Sequence, residues 1–421
     1  MNRLAQLLQY AQKVLALKRL LRRVRDGRCQ ARIAILPVSL CLVLGVLTRV
    51  SSYLDLARQT RRRRWRHLCG LKAPISHDTF GYATERMQPE DWRRNQAEMV
   101  KTLKRNKALE SSKINGLLCL SLDANEHCQS RSRCCPRCCQ RRVELTEADG
   151  QKHKVIEYYH RYVFAQINGP KLNIVLDVEP IRPGEDECAA ALRLLGRLRR
   201  TYGPRFFDGI TADAWYAQGP FLRAVEKLGW FWVVVLKRED MEVYQEAQQL
   251  SQGQEPCVSF QDQTRNRHVQ LWEVRDLGFS QAYGQRVRVV RSEERWVEQR
   301  VRGGRKEQKA RCTQWAWAAS AKLDGYAAEV IYHAGHRRWG IENKAFNELT
   351  QAYHLEHCYH HDPVSMLVQM LILVFGFTLF TAFALHSQLV RWGELTLKAL
   401  AKELDLALEE DLPWDHWFHC G

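Results

Sequence analysis

Three carboxylates in this sequence have the types and positions that a metal-dependent reaction requires. Asp123 closes the apolar run "INGLLCLSLD", Asp213 closes "FFDGITAD", and Glu342 lies in the helix-forming stretch "RRWGIENKAFNEL". Carboxylates held close together repel one another, and Mg²⁺ removes that repulsion because it prefers hard oxygen ligands. Two such ions about 4 Å apart activate an attacking oxygen and stabilise the leaving oxygen of a phosphodiester. The three acids are therefore a candidate metal site.

Each of these acids also has an ordinary structural interpretation. An Asp at the end of a strand commonly caps a turn or a helix, and a Glu in a helix commonly lies on a solvated face. Only the order of the three acids along one predicted sheet favours a shared site. Asp177 in "VLDVEP" also ends a predicted strand, so it is the alternative to Asp123 as the first carboxylate.

The elements that would position the acids follow one another as three strands, a helix, a strand, a helix and a strand. Runs of β-branched and aromatic residues predict the strands, and apolar residues spaced three and four apart predict the helices. The strands are predicted over 114–126, 155–169, 171–181, 206–217 and 230–237, and the helices over 184–203 and 219–229. In such a unit the first and fourth strands are parallel neighbours, so acids at their C-terminal ends converge.

The length and charge of the chain bound its organisation and its partners. It has 421 residues and a net charge of +17. That length predicts more than one domain, and that charge predicts a polyanionic partner, with nucleic acid ahead of an anionic membrane surface. We expect four regions, which are a helical, basic DNA-binding region over 1–110, the first part of the catalytic core over 111–238, a β-rich insertion over 239–320, and a helical completion of the core over 321–421.

The densest basic cluster lies in the first of these regions. Its candidate DNA-binding residues are Arg61, Arg62, Arg63 and Arg64. The start of the chain lacks the short apolar core of a secretory signal. We therefore expect a cytoplasmic, nucleoid-associated protein.

One uncharged run is long enough to span a membrane. It extends from Val364 to Leu385, and about 20 apolar residues suffice to cross the hydrocarbon core. The alternatives are a membrane anchor and a buried core or dimer helix. The basic remainder of the chain favours the buried helix, so no membrane partner is expected.

The 14 cysteines of this large basic chain suit reduced thiols better than disulfides. The stretch "HCQSRSRCCPRCCQRR" contains a C-x-x-C spacing, and Cys128, Cys135 and Cys138 are candidate ligands of a structural Zn²⁺. The alternative is a loop of reduced thiols. Farther on, His357 and His361 are four residues apart, which would suit a metal pair on a helix, although capping of the Glu342 helix is the favoured interpretation.

The acidic motifs "SLDANE", "TADAWYA" and "RRWGIEN" resemble those of DDE transposases of bacterial insertion sequences. The resemblance implies an α/β protein with a ribonuclease-H-like mixed sheet flanked by helices, and with a β-rich insertion between the second and third acids. It implies that Asp123, Asp213 and Glu342 form a catalytic triad that binds two Mg²⁺ or Mn²⁺ ions. It also implies a homodimer that binds the terminal inverted repeats of its element on double-stranded DNA, cuts there and joins the ends to a target.

The surroundings of Glu342 match this family only in part. Arg338 and Trp339 match, but Gly335 and Leu349 stand where relatives often have a Tyr and a Lys. Tyr332 and Lys344 are the candidate substitutes, and Lys344, Arg337 and Arg338 are candidate DNA-binding residues. Arg338 shares a helix face with Glu342, so it would orient that carboxylate or bind a phosphate. The alternative function is a non-catalytic or decayed transposase-derived DNA-binding protein, which needs the charge but no triad.

Overall fold

A computed structural model of the chain describes residues 3–146, 150–170, 172–237, 241–302, 305–341, 346–387 and 396–409. The chain divides into two compact units. Unit 1 comprises Met1–Ser112, Ala124–Leu194 and Glu342–Gly421, and unit 2 comprises Lys113–Asp123 and Leu195–Ile341.

Helices alone form the first hundred residues of unit 1 within its described part. They are α1 (Arg3–Lys13), α2 (Leu17–Leu21), α3 (Ile35–Leu47), α4 (Tyr53–Gln59), α5 (Arg63–Cys69), α6 (His77–Arg86) and α7 (Pro89–Arg105). Local sequence explains several of their ends. Ser52 and Ser76 accept backbone N–H groups at the starts of α4 and α6, as N-cap serines do. Gly70 ends α5 in a left-handed conformation with φ of 70°, which glycine adopts without steric cost.

Strands and helices alternate in the rest of the chain. The next elements are β1 (Cys119–Ser130), β2 (Cys139–Thr146), β3 (Lys152–Asn168), β4 (Asn173–Ile181), α8 (Glu187–Tyr202), β5 (Gly209–Ala212), α9 (Gly219–Lys227) and β6 (Phe231–Val235). They are followed by α10 (Glu242–Ser251), β7 (Val258–Asp262), β8 (Arg267–Gly278), β9 (Arg286–Arg302), β10 (Arg305–Ser320), α11 (Ala328–Arg337), α12 (Asn347–Tyr353), α13 (Pro363–His386) and α14 (Leu397–Glu409).

The core of unit 1 is built around α13 and the antiparallel strands β2, β3 and β4. The first half of β3 pairs with β2, and its second half pairs with β4. α13 packs against α3, α6, α7 and β4. By length and composition α13 could cross a membrane, yet 94% of its most apolar window is buried inside the structure.

Two polar side chains of α13, Gln369 and Thr378, are bonded to neighbouring helices. Tyr53 donates to Gln369 over 3.1 Å, and the Gln96 amide donates to Thr378 over 2.9 Å. Buried polar groups need such partners when they leave water. α13 is therefore packed as a core helix of unit 1.

Unit 2 is organised around a mixed sheet that begins with the first residues of β1. β1 and β5 are parallel, as are β5 and β6. β10, β9, β8 and β7 then continue the sheet from β6 in antiparallel pairs. α11 covers one face, where Ile331 and Tyr332 join a buried cluster with Phe231, Val290 and Trp317.

The predicted α/β class is confirmed, with a mixed sheet, flanking helices and a helical N-terminal region. Three described elements were not predicted, namely β2, β7 and α10. β2 has the sequence "CQRRVELT", and half-buried residues alternate there with exposed ones. It carries too few apolar residues to be recognised without its partner β3.

Candidate active site

Asp123 lies on β1, and Asp213 directly follows β5, which is the parallel neighbour of β1. Cys119 pairs with Gly209 and Ser121 with Thr211, and Asp123 and Asp213 each lie two residues beyond that last pair. The hydroxyls of Ser121 and Thr211 are 3.0 Å apart. Because side chains alternate along a strand, Asp123 lies on the same face as Ser121. β1 and β5 thus direct the two acids to one edge of the sheet in unit 2.

Asp213 also ends its strand in the way a capping residue does. It precedes a short 3₁₀ turn, and its Oδ1 accepts the backbone N–H of Trp215 over 2.9 Å. Cap formation and metal binding are compatible because a carboxylate has about four acceptor sites. The Trp215 ring itself is 58% exposed beside this acid.

Arg338 lies directly after α11 and reaches Asp123. Its Nη1 donates to Asp123 Oδ2 over 3.3 Å, and the two side chains are only 1% and 15% exposed. A guanidinium keeps its charge under burial. Arg338 therefore holds one oxygen of Asp123 in place.

A buried acid ties α11 to the sheet. The Glu294 side chain on β9 has no exposed surface, and its oxygens accept from His336 over 2.6 Å, from Arg267 over 2.6 Å and from Arg265 over 3.0 Å. Burial by itself would raise the pKa of Glu294, but the bonded His336 and the two arginines outweigh it and lower that pKa to about 2. This charged network holds the helix that ends at Arg338.

The structure gives a reason for the glycine at the position where relatives often have a Tyr. A Cβ on Gly335 would lie 2.2 Å from Nε1 of Trp317, a buried ring of β10. No larger side chain fits there. Tyr332, the candidate substitute, is buried, and its hydroxyl donates to Asp262 over 3.2 Å and accepts from Arg265 over 3.0 Å. It is thus committed to the interior of unit 2.

The other predicted residues near Glu342 have different positions. Glu342 and Lys344 lie outside the described residues. Arg337 is half-buried, and its Nη1 donates to the carbonyl of Lys113 over 3.2 Å. Phe346 and Leu349 are buried in unit 1, where Phe346 meets Phe164 edge to face with ring centroids 5.0 Å apart.

The predicted basic cluster lies on the surface of unit 1, at the start of α5. Arg61, Arg62 and Arg63 are exposed. Arg64 is half-buried, and its Nη1 donates to the carbonyl of Ala407 over 2.5 Å. Three of the four cations therefore face solvent, and Arg64 also links α5 to α14.

Asp177, the alternative to Asp123 as the first acid, forms an ion pair inside unit 1. It lies in β4, and its side chain is 5% exposed. Nε of Arg93 on α7 donates to its Oδ1 over 3.0 Å. Asp177 is thus part of a buried ion pair that joins α7 to the strand.

The predicted cysteine cluster is only partly brought together. Sγ of Cys135 and Sγ of Cys138 are 3.6 Å apart. Cys128 is outside their group, and its thiol interacts with Cys358, which together with burial raises the pKa of Cys128. His357 and His361 do not form a helical pair, because residues 354–362 are not helical.

His160 and His361 lie beside these cysteines. The sequence pattern did not group either histidine with them. Nε2 of His160 on β3 is 3.5 Å from Sγ of Cys135, and Nε2 of His361 is 3.6 Å from Sγ of Cys138. The pairing of Cys139 with Tyr159 sets Cys138 opposite His160. That pairing was the missing signal, since the sequence did not reveal β2.

Comparisons with known proteins give the family. A family described as "Transposase DDE domain" matches residues 168–379, which is half of the chain. The matched segment includes Asp177, Asp213 and the position of Glu342, and it begins after Asp123. No curated protein matches the chain significantly.

Among solved structures, the chain is similar to a piggyBac transposase in a synaptic complex with hairpin DNA, solved by cryo-electron microscopy. The TM-score is 0.43 at 12% sequence identity, over 96% of this chain and 77% of that one. The family assignment rests on the match over residues 168–379. The chain belongs to the DDE transposases, which are enzymes of polynucleotidyl transfer.

Proposed function

We propose that this transposase cuts and joins DNA at a site formed by Asp123, Asp213 and Glu342 with two Mg²⁺ or Mn²⁺ ions. The observation that carries the proposal is the parallel pairing of β1 with β5, because Asp123 and Asp213 each follow the pair Ser121–Thr211 by two residues and Arg338 is bonded to Asp123. Both acids supply hard oxygen donors, as Mg²⁺ prefers. When bound, the ions activate the attacking water or 3′-hydroxyl and stabilise the leaving oxygen.

The protein's own residues would bind and orient the reactants. Asp123 and Asp213 hold their carboxylates at one sheet edge, and Arg338 keeps Asp123 in one orientation through Nη1. Catalysis of phosphoryl transfer consists largely of such positioning and charge neutralisation. Glu342 would complete the set of carboxylates from the helix that the sequence predicts there.

The DNA would be bound by cations on both units. Arg337, Arg338 and Lys344 surround the proposed third acid in sequence, and Arg61–Arg64 supply positive charge at the start of α5. We propose double-stranded DNA as the partner, both as the ends of the element and as the target. A homodimer would join two ends, and a nucleoid-associated cytoplasmic location follows from such a substrate.

A structural Zn²⁺ at Cys135 and Cys138 would be bound in addition to the two catalytic ions.

The test is strand cleavage of a duplex that carries the inverted repeats flanking the coding region, with and without Mg²⁺. Asp123→Asn and Asp213→Asn should each lower the cleavage rate roughly a thousandfold, because removal of a metal ligand costs several kcal/mol of transition-state stabilisation. Asp177→Asn is the matched control. It should retain cleavage in the folded protein, since Asp177 is paired with Arg93.

Two results would count against the proposal. Cleavage by Asp213→Asn at the parental rate would remove the catalytic assignment, and duplex binding without cleavage by the parent would favour the non-catalytic DNA-binding protein. Loss of cleavage in Asp177→Asn, with cleavage retained in Asp123→Asn, would transfer the role of first acid to Asp177. Circular dichroism of each variant separates these results from misfolding.

A further inference from the structure

Four metal-ligating side chains converge in unit 1, away from the acids of β1 and β5. They are Cys135, Cys138, His160 and His361, and one donor atom from each lies within 4.8 Å of the others. Cys138 and His160 are buried, and the other two are half-buried. A buried group of two thiols and two imidazoles is a set of donors that suits zinc.

The spacing of the donor atoms matches a tetrahedral ion. Zinc lies about 2.3 Å from sulfur and about 2.0 Å from nitrogen, so a tetrahedron places two sulfurs about 3.8 Å apart and a sulfur and a nitrogen about 3.6 Å apart. The two sulfurs here are 3.6 Å apart. Nε2 of His160 lies 3.5 Å from Sγ of Cys135 and 3.3 Å from Sγ of Cys138, and Nε2 of His361 lies 3.6 Å from Sγ of Cys138. These four of the six donor separations fit one tetrahedral ion, and all of the donor atoms lie within 4.8 Å of one another.

The backbone fixes the two cysteines before any ion binds. They enclose the turn Cys-Pro-Arg-Cys, in which the N–H of Cys138 donates to the carbonyl of Cys135 over 3.1 Å. The N–H of Cys135 also points to Sγ of Cys138 over 3.2 Å. A backbone N–H directed at a sulfur stabilises a thiolate. This turn therefore presents the two sulfurs on one side.

The two histidines come from distant parts of the chain. His160 is supplied by β3. His361 lies just before Asp362, whose side chain caps α13 by accepting the N–H groups of Val364 and Ser365. Nε2 of His160 lies 3.3 Å from Sγ of Cys138, and the rings of His160 and His361 are 5.9 Å apart between centroids. The two imidazoles therefore approach the cysteines together.

We propose that Cys135, Cys138, His160 and His361 bind one structural Zn²⁺. Four protein ligands leave no open position for water, so the site is closed and has no part in catalysis. The ion would link the start of α13 to the β2–β3 hairpin. These two elements are far apart in the sequence. The convergence of all four donors on one point favours a single zinc over an iron–sulfur cluster, in which the ligands are divided between two or more irons.

Nearby residues outside the set have other partners. The thiol of Cys128 interacts with Cys358. Nδ1 of His127 lies 2.6 Å from the carbonyl of Leu355. The sequence spacing suggested Cys128, Cys135 and Cys138 as the ligands. The contact of Cys128 with Cys358 favours the two histidines in its place.

The experiment is metal analysis of the full chain purified without chelators, followed by X-ray absorption at the zinc edge. We expect about one zinc per chain, with a first shell of two sulfurs and two nitrogens. Absence of zinc together with failure to bind added Co²⁺ would overturn the proposal. So would a first shell of three or four sulfurs. This measurement needs no variant and is therefore independent of folding defects.

Variants then identify the ligands. His361→Ala and Cys135→Ser should lose most of the zinc, whereas Cys134→Ser, next to a ligand but exposed, should retain it. Loss of zinc in Cys128→Ser with retention in His361→Ala would overturn the ligand assignment. Asp213→Asn should retain full zinc, so the result does not depend on the catalytic proposal.

Discussion

Gly335 offers a sharp test of how α11 is held in unit 2. In Gly335→Ala the added Cβ would approach three atoms of the Trp317 ring at 2.2, 2.4 and 2.6 Å. That ring is 1% exposed and is enclosed by Tyr332 and His336, whose ring centroids lie 5.8 and 4.9 Å from its own. It cannot move without displacing both neighbours, so the substitution should force α11 away from β10.

The net effect is a difference between two opposing terms. Alanine stabilises the interior of a helix by about 1 kcal/mol relative to glycine. Overpacking of a closed core costs about 1–3 kcal/mol and occasionally more, and a rigid indole ring places this case at about 3 kcal/mol or above. We therefore expect Gly335→Ala to lower the free energy of unfolding by about 2 kcal/mol. Because α11 leads to Arg338, cleavage should fall as well.

The assay is urea denaturation followed by tryptophan fluorescence, with a second glycine as the matched control. Gly196 lies in α8, and the nearest atom to its added Cβ is the mobile Nη1 of Arg200 at 3.6 Å. Gly196→Ala should therefore raise the free energy of unfolding by about 0.5–1 kcal/mol. If both variants shift the midpoint in the same direction by similar amounts, the close contact with Trp317 is not what excludes a side chain at Gly335.

Two other predictions concern charge. The lowered pKa of Glu294 means that its contribution to stability is complete above its ordinary value of 4.5 and is lost as pH falls toward 2. Glu294→Gln should thus lower the free energy of unfolding at pH 7 and flatten its decline between about pH 5 and pH 2 in urea denaturation, and an unchanged pH slope would contradict this. Joint replacement of the exposed residues Arg61, Arg62 and Arg63 by serine should reduce the slope of log affinity for duplex DNA against log salt by about 2 to 3. An unaltered slope in a fluorescence-anisotropy titration would show that these three arginines do not contact the phosphate backbone of the DNA.

The family and the fold class were accessible from the sequence because their signals are local. β-branched runs such as that of β5 and apolar helical spacings such as that of α8 mark elements without knowledge of their partners. The order of those elements then predicts that β1 and β5 are parallel neighbours. For that reason the acids of the motifs "SLDANE" and "TADAWYA" could be assigned to one sheet edge in advance.

Residue-level contacts were less accessible because they depend on packing partners. The sequence pattern left Gly335 as an unexplained departure from relatives, and only the position of Trp317 shows that no side chain fits there. Asp177 and Asp123 look alike as strand-end acids. Their different partners, Arg93 and Arg338, became visible only when the helices were packed on the strands.

By itself, the sequence determined most of the strands and helices around the acids, the motifs that contain the acids and the basic charge, since all of these follow from periodicity and composition. Tertiary structure alone decided that α13, long enough for a membrane, is covered by α3, α6, α7 and β4. It also decided which histidines join Cys135 and Cys138, because His160 and His361 are separated by 200 residues of sequence and meet only through strand pairing and helix packing.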